Sequence, residues 1–409
     1  MSEPLVIIGN GMATMRLVEE LSQRSLGRYA IAVIGEEPRL AYNRVLLSSV
    51  LAREVSRGDV ELKSRDWYRA HGVSLIYGQR VTAIDADAHR VKLANGGTLP
   101  FNKLVLATGS KPIRLNVPGM DLPGVLTFRD LGDVDSIENA ALRNRKAVVI
   151  GGGLLGLEAA YGLAKAGVQV SVIHLMDRLM ERQLDARASA LLKAAVEAKG
   201  IAVHLNGETA AIKGAQRAQA VLLKDGREIA ADLVIVAAGI RANAELAQSA
   251  GLEVGRGIVV GDHMQTGKAG IYAIGECAEH RGISYGLVEP AYEQARVLAS
   301  HLCGGDARYD GSVLATNLKV SGVSVFSAGD FIGAAGTEQI VLSDPGLGSY
   351  KKLVIADGKL VGAVLFGDTA DGLWYLDLIR SGASIDAMRD DLMFGRALAE
   401  RALPKELAA

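Results

Sequence analysis

Two glycine-rich loops constrain this chain more than any other feature, because each lies between an apolar strand-like run and a helical pattern. The first is Gly9-Asn10-Gly11-Met12-Ala13-Thr14, after Val6-Ile7-Ile8; the second is Gly151-Gly152-Gly153-Leu154-Leu155-Gly156-Leu157-Glu158, after Ala147-Val148-Val149-Ile150. In such a loop the first glycine permits a tight turn, the second lets backbone approach a pyrophosphate, and the third lets helix pack on strand. The phosphates then rest on the positive end of the helix. One short glycine pattern arises often by chance, whereas two in matched contexts point to a repeated dinucleotide-binding module. Two dinucleotide sites in one chain point to hydride exchange between nicotinamide and flavin.

The rest of the chain reads around these loops. The first unit predicts a strand over 5–8, a helix over 12–25 and a strand over 30–34, followed by Glu36 and Glu37 at the spacing where a carboxylate grips adenosine ribose hydroxyls. Its next apolar run, 104–107, ends Ala107-Thr108-Gly109. The second unit repeats the plan with a strand over 147–150, a helix over 154–166, a strand over 169–174 and a closing run, 233–237, that leads into Ala238-Gly239. A further run ending Gly275-Glu276 is assigned back to the first domain, where Glu276 can accept a hydrogen bond from a ribityl hydroxyl. Glu289-Pro290 predicts a helix start there, its positive end toward the flavin pyrimidine. From about residue 312 strand-like runs (319–325, 350–355, 360–366) precede helical segments, without a third nucleotide loop.

Two positions depart from the strictest pattern. Thr14 replaces the third glycine of the first loop. His174 ends the strand after the second loop, where an NAD-specific site has Asp or Glu. Nothing there repels a 2′-phosphate, and Arg178 or Arg182 could favour one, although neither follows the strand directly. An exposed loop-edge imidazole without a cofactor role is the alternative, so the choice of NADH or NADPH stays open.

At 409 residues the chain has room for two to three domains, and 49% hydrophobic with 22% charged residues describes an ordinary globular protein. A net charge of −1 gives no basic field for nucleic acid. No apolar run reaches the roughly 20 residues of a spanning helix, and Glu3-Pro4 leads into the first strand without a signal-peptide pattern, so a cytoplasmic protein is expected. The two cysteines, Cys277 and Cys303, are too few for a thiolate-held iron–sulfur cluster and are expected to be buried and inert. Tyr42–Ser49 holds no cysteine, which disfavours disulfide-reductase chemistry. Histidine spacing shows no zinc pattern. Gly282-Ile283-Ser284-Tyr285-Gly286 matches a serine-hydrolase elbow, but that motif needs a strand directly before it and 277–281 reads as a loop.

The ordered set GxG, Glu36-x-Pro38-x-x-x-Tyr42-x-Arg44, Ala107-Thr108-Gly109, GGGxxGxE and Gly275-Glu276 resembles FAD-dependent pyridine-nucleotide oxidoreductases of the rubredoxin and ferredoxin reductase type. More narrowly, Gly9-Asn10-Gly11-Met12, Tyr42-Asn43-Arg44-Val45-Leu46-Leu47-Ser48, Gly151–Glu158 with Leu154-Leu155, Leu179-Met180-Glu181-Arg182-Gln183-Leu184-Asp185 and Phe366-Gly367-Asp368-Thr369 are similar to the flavin module of assimilatory NAD(P)H nitrite reductase large subunits. The resemblance implies an α/β chain: two Rossmann-like three-layer dinucleotide-binding domains, FAD in 1–113 with 239–311 and NAD(P)H in 114–238, plus a C-terminal α+β interface domain over 312–409. It implies that Arg44 lies along FAD and that Glu158 approaches the nicotinamide–flavin contact. Many relatives place a Lys shortly after the arginine to pair with that glutamate; here Ser48-Ser49 stands there, leaving the role of Ser49 open. Full nitrite reductases continue into cluster and siroheme domains, so the expected acceptor is a separate redox protein: a nitrate or nitrite reductase subunit, a ferredoxin or a rubredoxin. A redox sensor or an assembly subunit with slow flavin turnover would keep both loops.

Overall fold

The computed structural model describes residues 2–25, 27–143, 145–320 and 322–402. The chain divides into two compact units, residues 1–113 with 240–312, and residues 114–239 with 313–409.

In the first unit five parallel strands lie in the order Ser74–Tyr77, Tyr29–Gly35, Glu3–Ile8, Lys103–Leu106, Ile271–Ala273. In the second the order is Ala202–His204, Gln169–Ile173, Lys146–Ile150, Leu233–Val236, Val125–Thr127. The two sheets share one plan, with the strand that leads into the glycine loop at the centre of each. Each module also carries a three-stranded antiparallel meander between its third and fourth strands, Val81–Asp85/Arg90–Leu93/Thr98–Pro100 in one and Thr209–Lys213/Ala220–Leu223/Glu228–Ala230 in the other. Only the fifth strand differs in origin. The first sheet takes it from far downstream, and the second from just upstream.

Parallel sheets covered on both faces read as unbroken apolar runs. Leu5, Ile7, Val33, Leu104 and Val105 are fully buried in one sheet, and Val148, Val149, Val172, Val234 and Ile235 in the other. In the first unit the helices Met12–Arg24 and Val288–Leu302 pack against each other.

The first glycine of each loop is a steric necessity. Gly9 has φ +112°, and a Cβ there would stand 2.0 Å from the Ala107 carbonyl oxygen; Gly151 has φ +129°, with its Cβ 2.2 Å from that of Ala237. Gly9→Ala is therefore expected to cost more than about 2 kcal/mol of stability, read as a lowered thermal midpoint. An unchanged midpoint would contradict the close approach.

The second unit ends in a five-stranded antiparallel sheet, ordered Ala315–Val320, Val323–Gly329, Lys359–Phe366, Ser349–Ala356, Glu338–Asp344, with the helix Gly372–Ser381 against it. The predicted strand over 319–325 is instead part of a hairpin: Gly322, at φ +82°, turns the chain inside that run. Glu338–Asp344 escaped prediction because it is a mostly exposed edge strand without a buried apolar face. Tyr350 donates to Asp185 Oδ2 at 2.6 Å, while Asp185 Oδ1 caps the helix Ala186–Glu197 through Ala188 N–H. Burial and that carboxylate push the Tyr350 phenol well above its usual range.

Three local expectations need correction. The helix predicted from Pro290 begins at Val288, placing Pro290 in the first turn, where its missing N–H has no helical partner to lose. Residues 277–281 are not a loop, since Ala278–His280 forms a strand paired with Ile258–Val260. The hydrolase elbow still fails: no helix follows Ser284 until Val288, and the Ser284 hydroxyl is buried without a hydrogen-bond partner among the described residues. Cys303 is half-buried, against Ser25, whereas Cys277 is fully buried and its thiol is pushed up by desolvation. No helix among the described residues is long and apolar enough to cross a membrane.

Candidate functional site

The first loop gathers the segments that the sequence marks for FAD. Gly9 N–H donates to the Ile34 carbonyl at 2.8 Å, and the turn then presses on Ala107. Thr14 explains its own departure from glycine: its hydroxyl donates to Gly9 O at 2.7 Å, adding a hydrogen bond inside the turn. A Cβ on Gly275 would lie 3.2 Å from Ala13 Cβ, so the Gly275-Glu276 corner abuts the start of the loop helix, next to Met12. Glu276 accepts from Ser110 Oγ at 2.8 Å and lies near Gly109. The Thr108 hydroxyl donates to Asn243 O at 2.6 Å, and Asn243 N–H donates to Gly109 O at 2.9 Å. Asn243, which fastens the end of this strand, carries no motif that sequence reading could have used.

Glu36 stands exposed after the second strand, with Arg80 3.9 Å away. Its neighbour Glu37 is engaged by the Tyr42 hydroxyl at 2.8 Å and by the Arg44 guanidinium, which also stacks over the Tyr42 ring. Arg44 thus enters the site already oriented by a carboxylate. Ser48 is buried and Ser49 half-buried on the short helix Leu47–Leu51. Glu289 is an exposed residue paired with Arg296 at 3.1 Å, and the Val288–Leu302 helix has no side-chain N-cap.

The second loop repeats the geometry with different parts. Gly151 N–H donates to Ile173 O at 2.8 Å, and Gly156 packs so closely that a Cβ would fall 2.0 Å from Gly151 O. The helix Leu154–Lys165 opens with Leu154 and Leu155 and carries Glu158, half-buried. Gly239, at φ +111°, closes this part of the second unit. His174 is not an exposed imidazole. It is 8% exposed, accepts from Gly152 N–H through Nδ1 at 3.0 Å, and meets Glu181 Oε2 through Nε2 at 3.0 Å. Arg182 is 86% exposed, 3.9 Å from Glu181, and Arg178 lies against Asp177. Because Gly9 and Gly151 bond to Ile34 and Ile173, the register matches His174 to Gly35 and the exposed Leu175 to Glu36. Counting from those strand ends would have found this in the sequence.

Both loops leave their second glycine open. A Cβ on Gly11 or on Gly153 would meet nothing within 4 Å, and neither following helix has a side-chain N-cap. Open space over uncapped first-turn N–H groups suits a pyrophosphate, so the residues present fit two dinucleotides.

Comparison with known proteins agrees with this geometry. The family model for pyridine nucleotide-disulphide oxidoreductases matches residues 3–297, and that for the rubredoxin NAD+ reductase C-terminal domain matches residues 315–383. The chain is 47% identical over 382 residues to a Bacillus subtilis nitrite reductase [NAD(P)H], covering 93% of this chain and 48% of that protein. It is 45% identical over 390 residues to the assimilatory nitrate reductase electron transfer subunit of the same organism, covering 95% and 51%. The chain thus spans about half the length of these curated relatives. The crystal structure of the covalent putidaredoxin reductase–putidaredoxin complex matches with TM-score 0.87 at 26% identity, covering 98% of each chain. With the nucleotide-type modules, the C-terminal sheet and both family models in agreement, the chain belongs to the pyridine nucleotide-disulphide oxidoreductase family.

Proposed function

We propose that the first loop holds FAD, that the second holds NAD(P)H, and that electrons pass to a redox centre on another protein, in nitrite or nitrate assimilation or on a ferredoxin or rubredoxin. The matched pair of glycine loops, each with open space over its second glycine, carries the reading. When bound, the flavin supplies the change from hydride to single-electron transfer.

The chain's own residues divide the work. Gly9, Gly11, Met12 and Ala13 present backbone to the FAD pyrophosphate, Glu36 takes the ribose hydroxyls, and Arg44, held by Glu37, lies along the cofactor. Ala107, Thr108 and Gly109 wall the site, with Glu276 toward the ribityl chain. The uncapped helix at Val288, with Glu289 and Pro290 in its first turn, favours negative charge at the pyrimidine edge by some tenths to one kcal/mol. Gly151, Gly153, Leu154, Leu155 and Gly156 serve the nicotinamide dinucleotide, Glu158 its nicotinamide end, and His174, Arg182 and Gly239 border that site.

Two cysteines cannot ligate a thiolate cluster, which supports an acceptor outside these residues. The electron-transfer name of the nitrate reductase relative supports the same reading. Nitrite alone is therefore expected not to reoxidise the NAD(P)H-reduced protein at a catalytic rate, and turnover with nitrite as sole acceptor would refute this part. The reading includes a cytoplasmic location, open to test by cell fractionation.

The whole proposal is tested by anaerobic stopped-flow bleaching of the flavin with NADH and with NADPH. Fast bleaching is expected in the parent protein. Gly153→Val is expected to retain FAD yet bleach at least about a hundredfold more slowly, because the valine fills the space over the second loop. Unchanged kinetics in that variant would show that nicotinamide binds elsewhere.

A further inference from the structure

The residue between the first two loop glycines is secured in opposite ways in the two modules. In the first it is Asn10, whose Cβ fills the space over Gly35 (a Cβ on Gly35 would lie 2.8 Å from it) and whose side chain bonds to Arg39 O and the Tyr68 hydroxyl. In the second the side chain has changed sides: the loop residue is Gly152, and the strand end supplies His174. A Cβ on Gly152 would lie 2.7 Å from His174 Cγ and 2.6 Å from Leu179 Cδ2, so no larger residue fits. Gly152 is bound at both backbone groups, its N–H donating to His174 Nδ1 and its carbonyl accepting from Met180 N–H, each at 3.0 Å. A backbone N–H can only donate, so Nδ1 bears the lone pair and Nε2 the proton, which it donates to Glu181. The histidine is anchored too: its N–H donates to His204 O and its carbonyl accepts from Gly207 N–H, each at 2.8 Å.

We propose that His174, held in this tautomer by Glu181, is a positioning residue that fixes the second glycine loop in the shape that receives the nicotinamide dinucleotide pyrophosphate. This rests on the assignment of the second loop to NAD(P)H. The imidazole does not touch the dinucleotide; it holds Gly152 so that the N–H groups beyond Gly153 converge on the phosphates. Removing the acceptor leaves a buried N–H unsatisfied and frees the turn.

The test is calorimetric titration of the FAD-loaded full chain with ADP-ribose, which carries the pyrophosphate without the nicotinamide, alongside hydrogen exchange of the 151–157 backbone. His174→Asn keeps an acceptor at the Nδ1 position and is expected to bind within about threefold of the parent. His174→Leu fills similar space without an acceptor and is expected to bind roughly ten- to hundredfold more weakly, with faster exchange at Gly152 and unchanged FAD content. Equal affinities of the asparagine and leucine variants, whether parental or reduced, would overturn the proposal. Should the leucine variant not fold, Glu181→Leu is read instead, with about three- to tenfold weaker binding expected and parental binding overturning the idea. If Gly153→Val binds ADP-ribose as tightly as the parent, the site assignment itself has failed; if it abolishes binding while His174→Leu does not alter it, only the positioning role has failed.

Discussion

Gly11→Val is expected to give folded protein that carries almost no FAD. Its stability should survive because Gly11 has φ −108° and ψ −170°, an extended conformation that a β-branched residue adopts readily, and because no protein atom lies within 4 Å of the new Cβ. Cofactor binding should not survive, because the FAD pyrophosphate proposed at this loop would need that space. A loss of about a hundredfold or more in FAD affinity is expected. It is read as the ratio of flavin to protein absorbance after purification, beside an unchanged circular dichroism spectrum. A fully yellow variant would refute the first site, and an unfolded one would show that Gly11 serves the fold as Gly9 does.

Leu175→Glu is expected to turn the nicotinamide site against NADPH. The strand register makes Leu175 the counterpart of Glu36, yet this position carries an exposed apolar side chain. A carboxylate there would accept from both ribose hydroxyls of NADH and repel a 2′-phosphate. NADPH affinity should fall roughly ten- to hundredfold relative to NADH, measured by titrating both nucleotides. An equal effect on both, or none, would mean that the adenosine ribose lies away from this strand end. His174 is the wrong place for that substitution, because its ring already serves the loop from beneath.

The course of the fold was legible where chemistry repeats: two apolar strands, two glycine loops, two helices, and a third strand ending in Ala-Thr-Gly or Ala-Ala-Gly. The helix ends at Arg24 and Lys165 fall one residue short of the sequence reading. Legibility failed where partners are distant or exposed. The bond from the Thr108 hydroxyl to Asn243 O joins segments far apart in the chain, and the edge strand Glu338–Asp344 has too little buried surface to print a pattern. The hairpin at Gly322 is hard to see in the sequence because two β-type strands in tandem read as one continuous run. At the site, glycine spacing marked both loops, but the direction of the His174 ring was hidden. A histidine at a strand end has the same one-letter signature whether it faces solvent or the loop, and only the absence of a side chain at Gly152 decides between them.

The differing origin of the fifth strand has a consequence for biosynthesis. Emerging from the ribosome, the second sheet has all its members once Leu233–Val236 is out, because Val125–Thr127 has already appeared. The first sheet waits for Ile271–Ala273, behind the whole second sheet and its meander. Domains generally form in the order of synthesis; here the parallel sheet that starts first is completed after the one that starts second, and until then its Lys103–Leu106 strand presents an open edge that can pair wrongly. A stalled or truncated product ending between Val236 and Ile271 therefore leaves a finished second sheet attached to an unfinished first one.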